Sequence, residues 1–207
     1  MNEQLQQLVA NTPHLWQGSS PYQNVSPAIP SGHKALDDLL PGGGWPSNTL
    51  IEIVASSWGI GELRLLAPLM RLMTEQQRWL LWVCPPHRPN APAFVNAGID
   101  TRYIAVVKKR FTEPDKLWCI EKALQENRCG LVLAWSECFS HSALRRLQLA
   151  AESGGTLGLL FSNRETKNSP AAMRLGLSPD AHGINAKLIK ARGTFNYRSS
   201  KIPLPLQ

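Results

Sequence analysis

The segment that decides the fold of this chain is Thr49-Leu50-Ile51-Glu52-Ile53-Val54-Ala55-Ser56-Ser57-Trp58-Gly59-Ile60-Gly61-Glu62-Leu63. Its first seven residues are mostly apolar and β-branched, which is typical of a buried strand. Two glycines interrupt the run, and apolar residues then recur at helical spacing from Glu62 to Met73. A strand, a glycine-containing loop and a helix in this order mark the place where an α/β protein commonly holds a phosphate.

This loop lacks two residue types that a phosphate-binding loop needs. A working P-loop ends in Gly-Lys-Ser/Thr, because the lysine meets phosphate oxygens and the hydroxyl holds magnesium. Here Glu62 and Leu63 follow Gly61, so a carboxylate replaces the cation and a hydrocarbon replaces the metal ligand. Two unit charges 4 Å apart interact by about 4 kcal/mol at an effective dielectric constant of 20, so reversing one sign is a large change. We therefore expect a vestigial phosphate loop that binds no cofactor, formed by Ser56, Ser57, Gly59, Gly61, Glu62 and Leu63.

The rest of the chain offers no catalytic set. The predicted strand Leu131–Trp135 is followed by Ser136 rather than directly by the carboxylate that holds magnesium in a P-loop ATPase. The five histidines are scattered, and no Gly-x-Ser-x-Gly elbow accompanies them. Two Cys-x-x-His pairs, at 84–87 and 138–141, leave a zinc site open, but neither spacing is that of a zinc finger. We expect no enzyme and no metal; a nucleotide hydrolase that uses Arg64 in place of the lysine is the alternative.

Apolar runs of strand length alternate with amphipathic segments of helix length on the C-terminal side of this loop. The predicted strands are 49–55, 79–84, 103–107, 131–135, 156–161, 171–177 and 186–191. The predicted helices are 33–40, 62–73, 91–97, 114–126 and 142–152. Strands that are apolar on both faces and separated by helices predict an α/β fold with a mostly parallel central sheet and helices on both faces. The late strands, which no helix separates, predict an antiparallel C-terminal edge extension.

The composition suits one globular domain with short extensions. The chain has 207 residues, of which 43% are hydrophobic and 18% charged. We expect an N-terminal arm over 1–30, a folded domain over 31–193 and a C-terminal tail over 194–207. No apolar run approaches the roughly 20 residues that cross a bilayer, and the start does not resemble a secretory signal. These features predict a cytoplasmic protein with no membrane contact.

Charged and aromatic residues outside the loop supply further candidate sites. The chain has 22 Lys and Arg against 15 Asp and Glu, a formal net charge of +7, which permits contact with nucleic acid or an acidic partner. The basic candidates lie near predicted strand or helix ends: Lys108, Lys109, Arg110, Arg145, Arg146, Lys187, Lys190 and Arg192. Three tryptophans in predicted loops are candidates for a partner surface: Trp16, Trp45 and Trp58. Solvated strand ends and simple packing are the alternative explanations.

The segment Leu40-Pro41-Gly42-Gly43-Gly44-Trp45-Pro46 and the segment Gly59-Ile60-Gly61-Glu62-Leu63-Arg64 carry a family resemblance. The first is similar to the approach to a RecA-type core, and the second to the altered P-loop of the ImuA family of translesion-DNA-synthesis-associated proteins. The resemblance covers about residues 15–193. It implies a RecA-like P-loop core, without ATPase chemistry, that belongs to a superfamily also containing the SulA cell-division inhibitors.

The same resemblance implies a function in the bacterial SOS response. It implies an accessory factor of translesion DNA synthesis and mutagenesis whose partners are an ImuB-like inactive polymerase homologue, an error-prone replicative polymerase homologue and RecA. DNA contact is a secondary expectation; if the basic candidates hold phosphates, affinity falls steeply with salt. The alternative is a SulA-type inhibitor that binds the tubulin-like division protein. The long Gly-Gly-Gly-Trp-Pro segment is the feature that favours the first interpretation.

Overall fold

The computed structural model describes residues 28–108, 111–136, 139–163, 169–191 and 198–204. The strands within them are β1 (Ala28–Ile29), β2 (Trp45–Pro46), β3 (Leu50–Ala55), β4 (Trp79–Val83), β5 (Ile104–Val107), β6 (Cys129–Trp135), β7 (Leu157–Ser162), β8 (Met173–Asp180), β9 (Gly183–Ala191) and β10 (Ser199–Pro203). The helices are α1 (Lys34–Asp37), α2 (Glu62–Glu75), α3 (Ala91–Asn96), α4 (Glu113–Gln125) and α5 (His141–Gly154), with a 3-10 turn at Thr101–Tyr103. The predicted strands and helices are confirmed to within a few residues at their ends.

Eight strands form one mixed sheet in the order β10-β9-β8-β3-β7-β6-β4-β5. The strands from β8 to β5 pair in parallel, as their registers show. The strands β9 and β10 continue the sheet from β8 by antiparallel pairing. The strand β10 was not predicted, and it brings residues 199–203 of the expected tail into the sheet. The division into arm, domain and tail otherwise stays a prediction.

Helices pack on both faces of the sheet and divide the core in two. On one face, α2 packs Leu65 and Leu69 against Ile51 and Ile53 of β3. On the other face, α4 and α5 cover Leu50, Val132 and Leu160, with Leu124 and Leu147 among the contacting side chains. All seven residues of β6 are buried because this strand lies in the sheet interior with helices over both of its faces.

Local signals set where the helices begin and end. Thr112 and Asp115 form a capping box at the start of α4, and Pro114 stands in its first turn. The Ser140 hydroxyl accepts a hydrogen bond from the Ala143 N–H group (3.2 Å) and caps α5. Gly155, with φ of 70°, ends that helix because this left-handed conformation is strained for other residues.

Two buried polar contacts fix the register of β3 against its neighbours. Glu52 of β3 and Arg174 of β8 are paired residues of the ladder, and their side chains form an ion pair (Oε2 to Nε, 2.9 Å) with both side chains only 7% exposed. The Gln148 side chain of α5 accepts hydrogen bonds from the Leu50 and Ala172 N–H groups, each at 3.2 Å. The Gln148 contacts satisfy two backbone N–H groups, and the ion pair gives each buried charge a counter-ion.

The predicted RecA-like P-loop core is wrong. The sheet is mixed, and the loop after β3 is not a phosphate loop, because the Gly59 N–H group donates to Glu62 Oε1 (2.9 Å) within the chain itself. A backbone donor that would face a phosphate is therefore already engaged. The prediction came from the resemblance of segments 40–46 and 59–64 to a RecA-type core and an altered P-loop. A strand, a glycine-containing loop and a helix in this order occur in many unrelated α/β proteins.

Candidate protein-interaction surface

The turn between β3 and α2 is closed by its own side chains. Glu62 is 5% exposed and stands at the first position of α2, where a negative charge is favoured by the helix dipole. Arg64, the alternative substitute for a P-loop lysine, donates from Nη2 to the Leu204 carbonyl (2.8 Å). It therefore ties α2 to the residue that follows β10. Both charged residues of this segment serve the fold.

A row of aromatic side chains fills the space beside this turn. The rings of Trp58 and Phe161 meet edge to face with centroids 6.1 Å apart, and Phe161 stacks on Trp135 at 4.7 Å. Trp135 in turn lies 5.4 Å from Trp82, which lies 5.3 Å from Phe94 of α3. The row runs from the β3–α2 turn across β7, β6 and β4 to α3. These rigid apolar rings pack together in the core on one face of the sheet.

Phe94 leads from this row to the sheet edge formed by β5. This strand pairs with β4 alone among the described strands. The Cys84 N–H group donates to the Val107 carbonyl (2.8 Å), and alternate residues of a parallel strand bond to the same neighbour. Ala105 and Val107 therefore direct their N–H and C=O groups to β4. The N–H and C=O groups of Ile104 and Val106 point away from the sheet.

A groove of about 540 Å³ lies beside the outer strand. Ile104 and Val106 of β5 lie along it, Ala91 and Phe94 of α3 line one side, and the run Pro85–Pro89 lines another. Val106 is 39% exposed, so this part of the groove is an apolar surface open to solvent. Three prolines stiffen the loop, because each fixes its own backbone φ angle.

The rim of the groove is basic. Among its lining residues are His87, Arg88 and Lys108, and the lining includes no acidic residue. Asp100, which precedes the lining residue Thr101, forms an ion pair with Arg102 (2.7 Å), whose hydrogen bonds lower the pKa of that carboxyl below its ordinary value. Cationic side chains around an apolar floor favour a partner that presents apolar and acidic groups together.

Two exposed apolar side chains lie on the elements that line the groove. Val95 of α3 is 62% exposed and Val106 of β5 is 39% exposed. The other large hydrophobic side chains that are exposed among the described residues lie on different elements: Trp79, Phe111, Trp118 and Leu149. We name Ile104, Val106, Phe94, Arg88 and Lys108 the β5 groove.

The structure places the predicted basic site residues far apart. Lys108 borders the β5 groove, whereas Lys187 and Lys190 lie on β9, and five strands separate β9 from β5 in the sheet order. Arg145 and Arg146 lie on α5, and Arg146 forms an ion pair with Glu121 of α4. Lys109, Arg110 and Arg192 lie outside the described residues. The described basic candidates do not form one patch.

The predicted aromatic site residues also differ in position. Trp45 is fully buried in the core, so its ring does not reach the surface. Trp58 is half-buried against the same core, and Trp16 lies outside the described residues. Phe94, Val106 and Arg88 were not among the predicted site residues. The short apolar run 104–107 predicts a strand, but the sequence of a strand does not show whether it lies at the edge of the sheet.

Comparison with known proteins decides the family. The family model described as the cell division inhibitor SulA matches residues 50–158, which is more than half of the chain. This chain belongs to the SulA family. The match begins at β3 and ends in β7, so it contains every residue of the β5 groove.

Individual SulA proteins show the same likeness. The cell division inhibitor SulA of Edwardsiella piscicida is 31% identical over 121 residues, covering 58% of this chain and 68% of that protein. The SulA proteins of Photorhabdus laumondii and Yersinia enterocolitica are 32% and 30% identical, with 55% and 68% of their lengths covered. The chain thus spans between about half and two thirds of these curated relatives. The crystal structure of SulA from Pseudomonas aeruginosa is 27% identical, with a TM-score of 0.45, 54% of this chain covered and 96% of that one.

Membership of the SulA family corrects the expected membership of the ImuA family. The assignment to the ImuA family is wrong, because the family model that matches residues 50–158 and the curated relatives are SulA. The predicted role in translesion DNA synthesis is therefore wrong. So are its predicted partners: the ImuB-like polymerase homologue, the error-prone replicative polymerase homologue and RecA. The secondary expectation of DNA contact loses its basis with them.

The prediction that the chain is not an enzyme agrees with a family of division inhibitors. The argument that led to it, from a degenerate P-loop, has no support in this family. In the described ranges, no three His, Cys, Asp or Glu side chains are grouped to hold a metal ion. No helix in the part of the chain that the structure covers is long and apolar enough to cross a membrane.

Proposed function

We propose that this protein inhibits bacterial cell division by binding the tubulin-like division protein in the cytoplasm. The observation that carries the proposal is the SulA match over residues 50–158. Each of the relatives compared above bears the name of a cell division inhibitor. Inhibition by binding requires a surface that fits the target and no reacting groups.

We assign this binding to the β5 groove. Three features support the assignment: the groove lies inside the family-matched segment, its floor is apolar and open, and its rim carries Arg88 and Lys108. Lys108 is the one predicted basic site residue among those that line it. A few well-packed residues near the centre of an interface carry most of its binding energy, and arginine is enriched among them.

Expression in a rod-shaped bacterium that lacks its own SulA tests the proposed function. Induction of the full chain is expected to stop septation, so that cells grow into filaments while DNA replication continues. Val106→Asp is expected to abolish filamentation, because it places a charge on the apolar floor of the groove. Leu149→Asp is the matched control: this exposed side chain lies on α5, and the variant is expected to filament cells as the unchanged chain does.

Cells of normal length at full expression of the unchanged, folded chain would contradict the proposal. Immunoblotting and thermal unfolding of the purified variants verify that each variant is present and folded. Filamentation by Val106→Asp but not by Leu149→Asp would indicate that the binding surface lies on α5 and not in the groove.

A further inference from the structure

The two edges of the sheet differ in a way that bears on what the β5 groove binds. At one edge, β10 ends in Pro203 and carries Lys201, which forms an ion pair with Asp180 of β8 (2.9 Å). Charged residues and proline at an edge strand discourage pairing with another chain. At the other edge, β5 is Ile-Ala-Val-Val, with no charge and no proline. Among the described strands, β5 is the edge suited to accept an additional strand.

The same two residues, Ile104 and Val106, supply both the backbone groups that point out of the sheet and side chains that border the groove. Ile104 and Val106 point their N–H and C=O groups out of the sheet, while their side chains border the groove. An extended segment that pairs with these backbone groups would run along the groove. Side chains of a paired strand alternate between the two faces of a sheet, so every second side chain would face Phe94 and the proline-rich loop.

We infer that the β5 groove binds an extended segment of the division protein as an added β-strand. That segment places an apolar side chain between Val106 and Phe94 and acidic side chains opposite Arg88 and Lys108. The inference rests on the proposed function and adds to it the chemistry and conformation of the bound segment. Main-chain hydrogen bonds supply affinity in such complexes, and the pocket and the charges supply specificity.

Charge complementarity excludes a second copy of this chain as the preferred occupant. Two β5 edges that paired across a twofold axis would bring two basic rims together, since Arg88 and Lys108 border both grooves. No acidic residue lines the groove to offset that repulsion. Like charges set against each other at an interface weaken association, whereas acidic groups in the partner strengthen it.

The test measures binding of the purified division protein to the immobilised full chain, with association and dissociation rates recorded at low and high salt. Val106→Pro removes the outward N–H group but leaves the bonds between β5 and β4 in place, because proline is tolerated at a strand edge. It is expected to weaken binding about tenfold, mainly through faster dissociation. Val106→Thr, which keeps both the N–H group and a similar shape, is expected to bind almost as well as the unchanged chain.

A second pair of variants tests the charges. Arg88→Glu with Lys108→Glu is expected to slow association about tenfold at low salt, with the difference shrinking as salt is added. Arg145→Glu, an exposed reversal on α5, is the matched control and is expected to change association little. Thermal unfolding of every variant shows whether the fold is retained.

The possible results separate the inference from the function. If the unchanged chain binds and both groove variants bind equally well, strand addition is refuted and the proposed function stands. If Val106→Pro converts a dimer of this chain into a monomer without affecting the division protein, the edge binds a second copy and the inference fails. If the unchanged chain neither binds the division protein nor filaments cells, the proposed function fails and the inference fails with it.

Discussion

Glu62 stands at the first position of α2 with its carboxylate on the Gly59 N–H group. A phosphate loop uses the same position of the fold to hold an external anion, because free N–H groups and the helix dipole converge there. Here the chain supplies the anion from its own sequence. The negative charge that replaces the lysine of a P-loop therefore accepts a hydrogen bond within the turn and stabilises it.

Cys129 shows a second effect at the scale of one residue. Its thiol is 4% exposed at the start of β6, and Sγ donates to the Trp79 carbonyl (3.5 Å). Burial raises the pKa of this thiol from its ordinary value of 9.0 to about 11. Burial disfavours the thiolate because a charge loses its hydration in the core.

The raised pKa of Cys129 predicts a loss of stability in alkaline solution. Between pH values of about 9 and 11 the unfolded thiol is ionised while the folded thiol stays neutral. The free energy of unfolding therefore falls as the pH rises through this window, by up to about 1.4 kcal/mol per pH unit from this group. Below a pH of about 9 the contribution is fully present.

Urea denaturation at several pH values, for the unchanged chain and for Cys129→Ala, measures this contribution. Lysines and tyrosines titrate equally in both proteins, so the difference between the two curves isolates Cys129. The curve of Cys129→Ala is expected to be the flatter of the two above pH 9. Parallel curves would show that the thiol ionises as easily in the folded chain as in the unfolded one.

At the scale of elements, an ion pair joins β3 to β8, the strand from which the antiparallel extension begins. Glu52 and Arg174 are opposed in the ladder, and each side chain is 7% exposed. Removing one member of a buried pair leaves the other charge without its counter-ion. Arg174→Ala is therefore expected to lower the free energy of unfolding by about 3–5 kcal/mol.

Double substitution distinguishes the pair from simple packing. Glu52→Leu with Arg174→Met replaces both charges by apolar groups of similar size and is expected to restore most of the stability lost in Arg174→Ala. Lys201→Ala, which breaks the exposed ion pair between β10 and β8, is the control and is expected to change stability little. Urea denaturation measures all four proteins. A double variant as unstable as Arg174→Ala would contradict this account of the pair.

The elements also show what sequence patterns can and cannot predict. Runs such as 49–55 and 62–73 are confirmed because a strand buried on both faces and an amphipathic helix carry their own periodicity. The strand β10 was missed: only Ile202 and Leu204 of this segment are buried, so its apolar signal is short. Trp45 was a candidate for a partner surface, with simple packing as the alternative; it is buried in the core, and its strand β2 pairs with β1.

The candidate site was less predictable than the elements. The β5 groove combines Arg88, Phe94, Val106 and Lys108, which come from a loop, a helix, a strand and the residue after that strand. Their proximity depends on β5 being the outermost strand, a fact of strand order that local patterns do not contain. The predicted basic site residues were chosen because they cluster along the chain, but the fold places them on separate elements of the sheet and its helices.

At the scale of the whole molecule, the glycine-rich loop and the segment 40–46 suggested a family with different partners. The SulA match over 50–158 corrects that suggestion, and the SulA-type inhibitor considered as the alternative becomes the proposed function. The molecule holds a mixed sheet with a row of aromatic side chains packed on one of its faces. Its apolar and basic groups are directed outward at one sheet edge.

Sedimentation of the division protein's polymers tests the central claim most directly. The purified division protein is assembled with GTP, and increasing amounts of this chain are added in the presence or absence of ATP and magnesium. The account predicts that the polymer in the pellet falls as the chain approaches equimolar amounts, equally with and without ATP. An unchanged pellet at excess of the folded chain, or a loss of polymer that requires ATP, would contradict it.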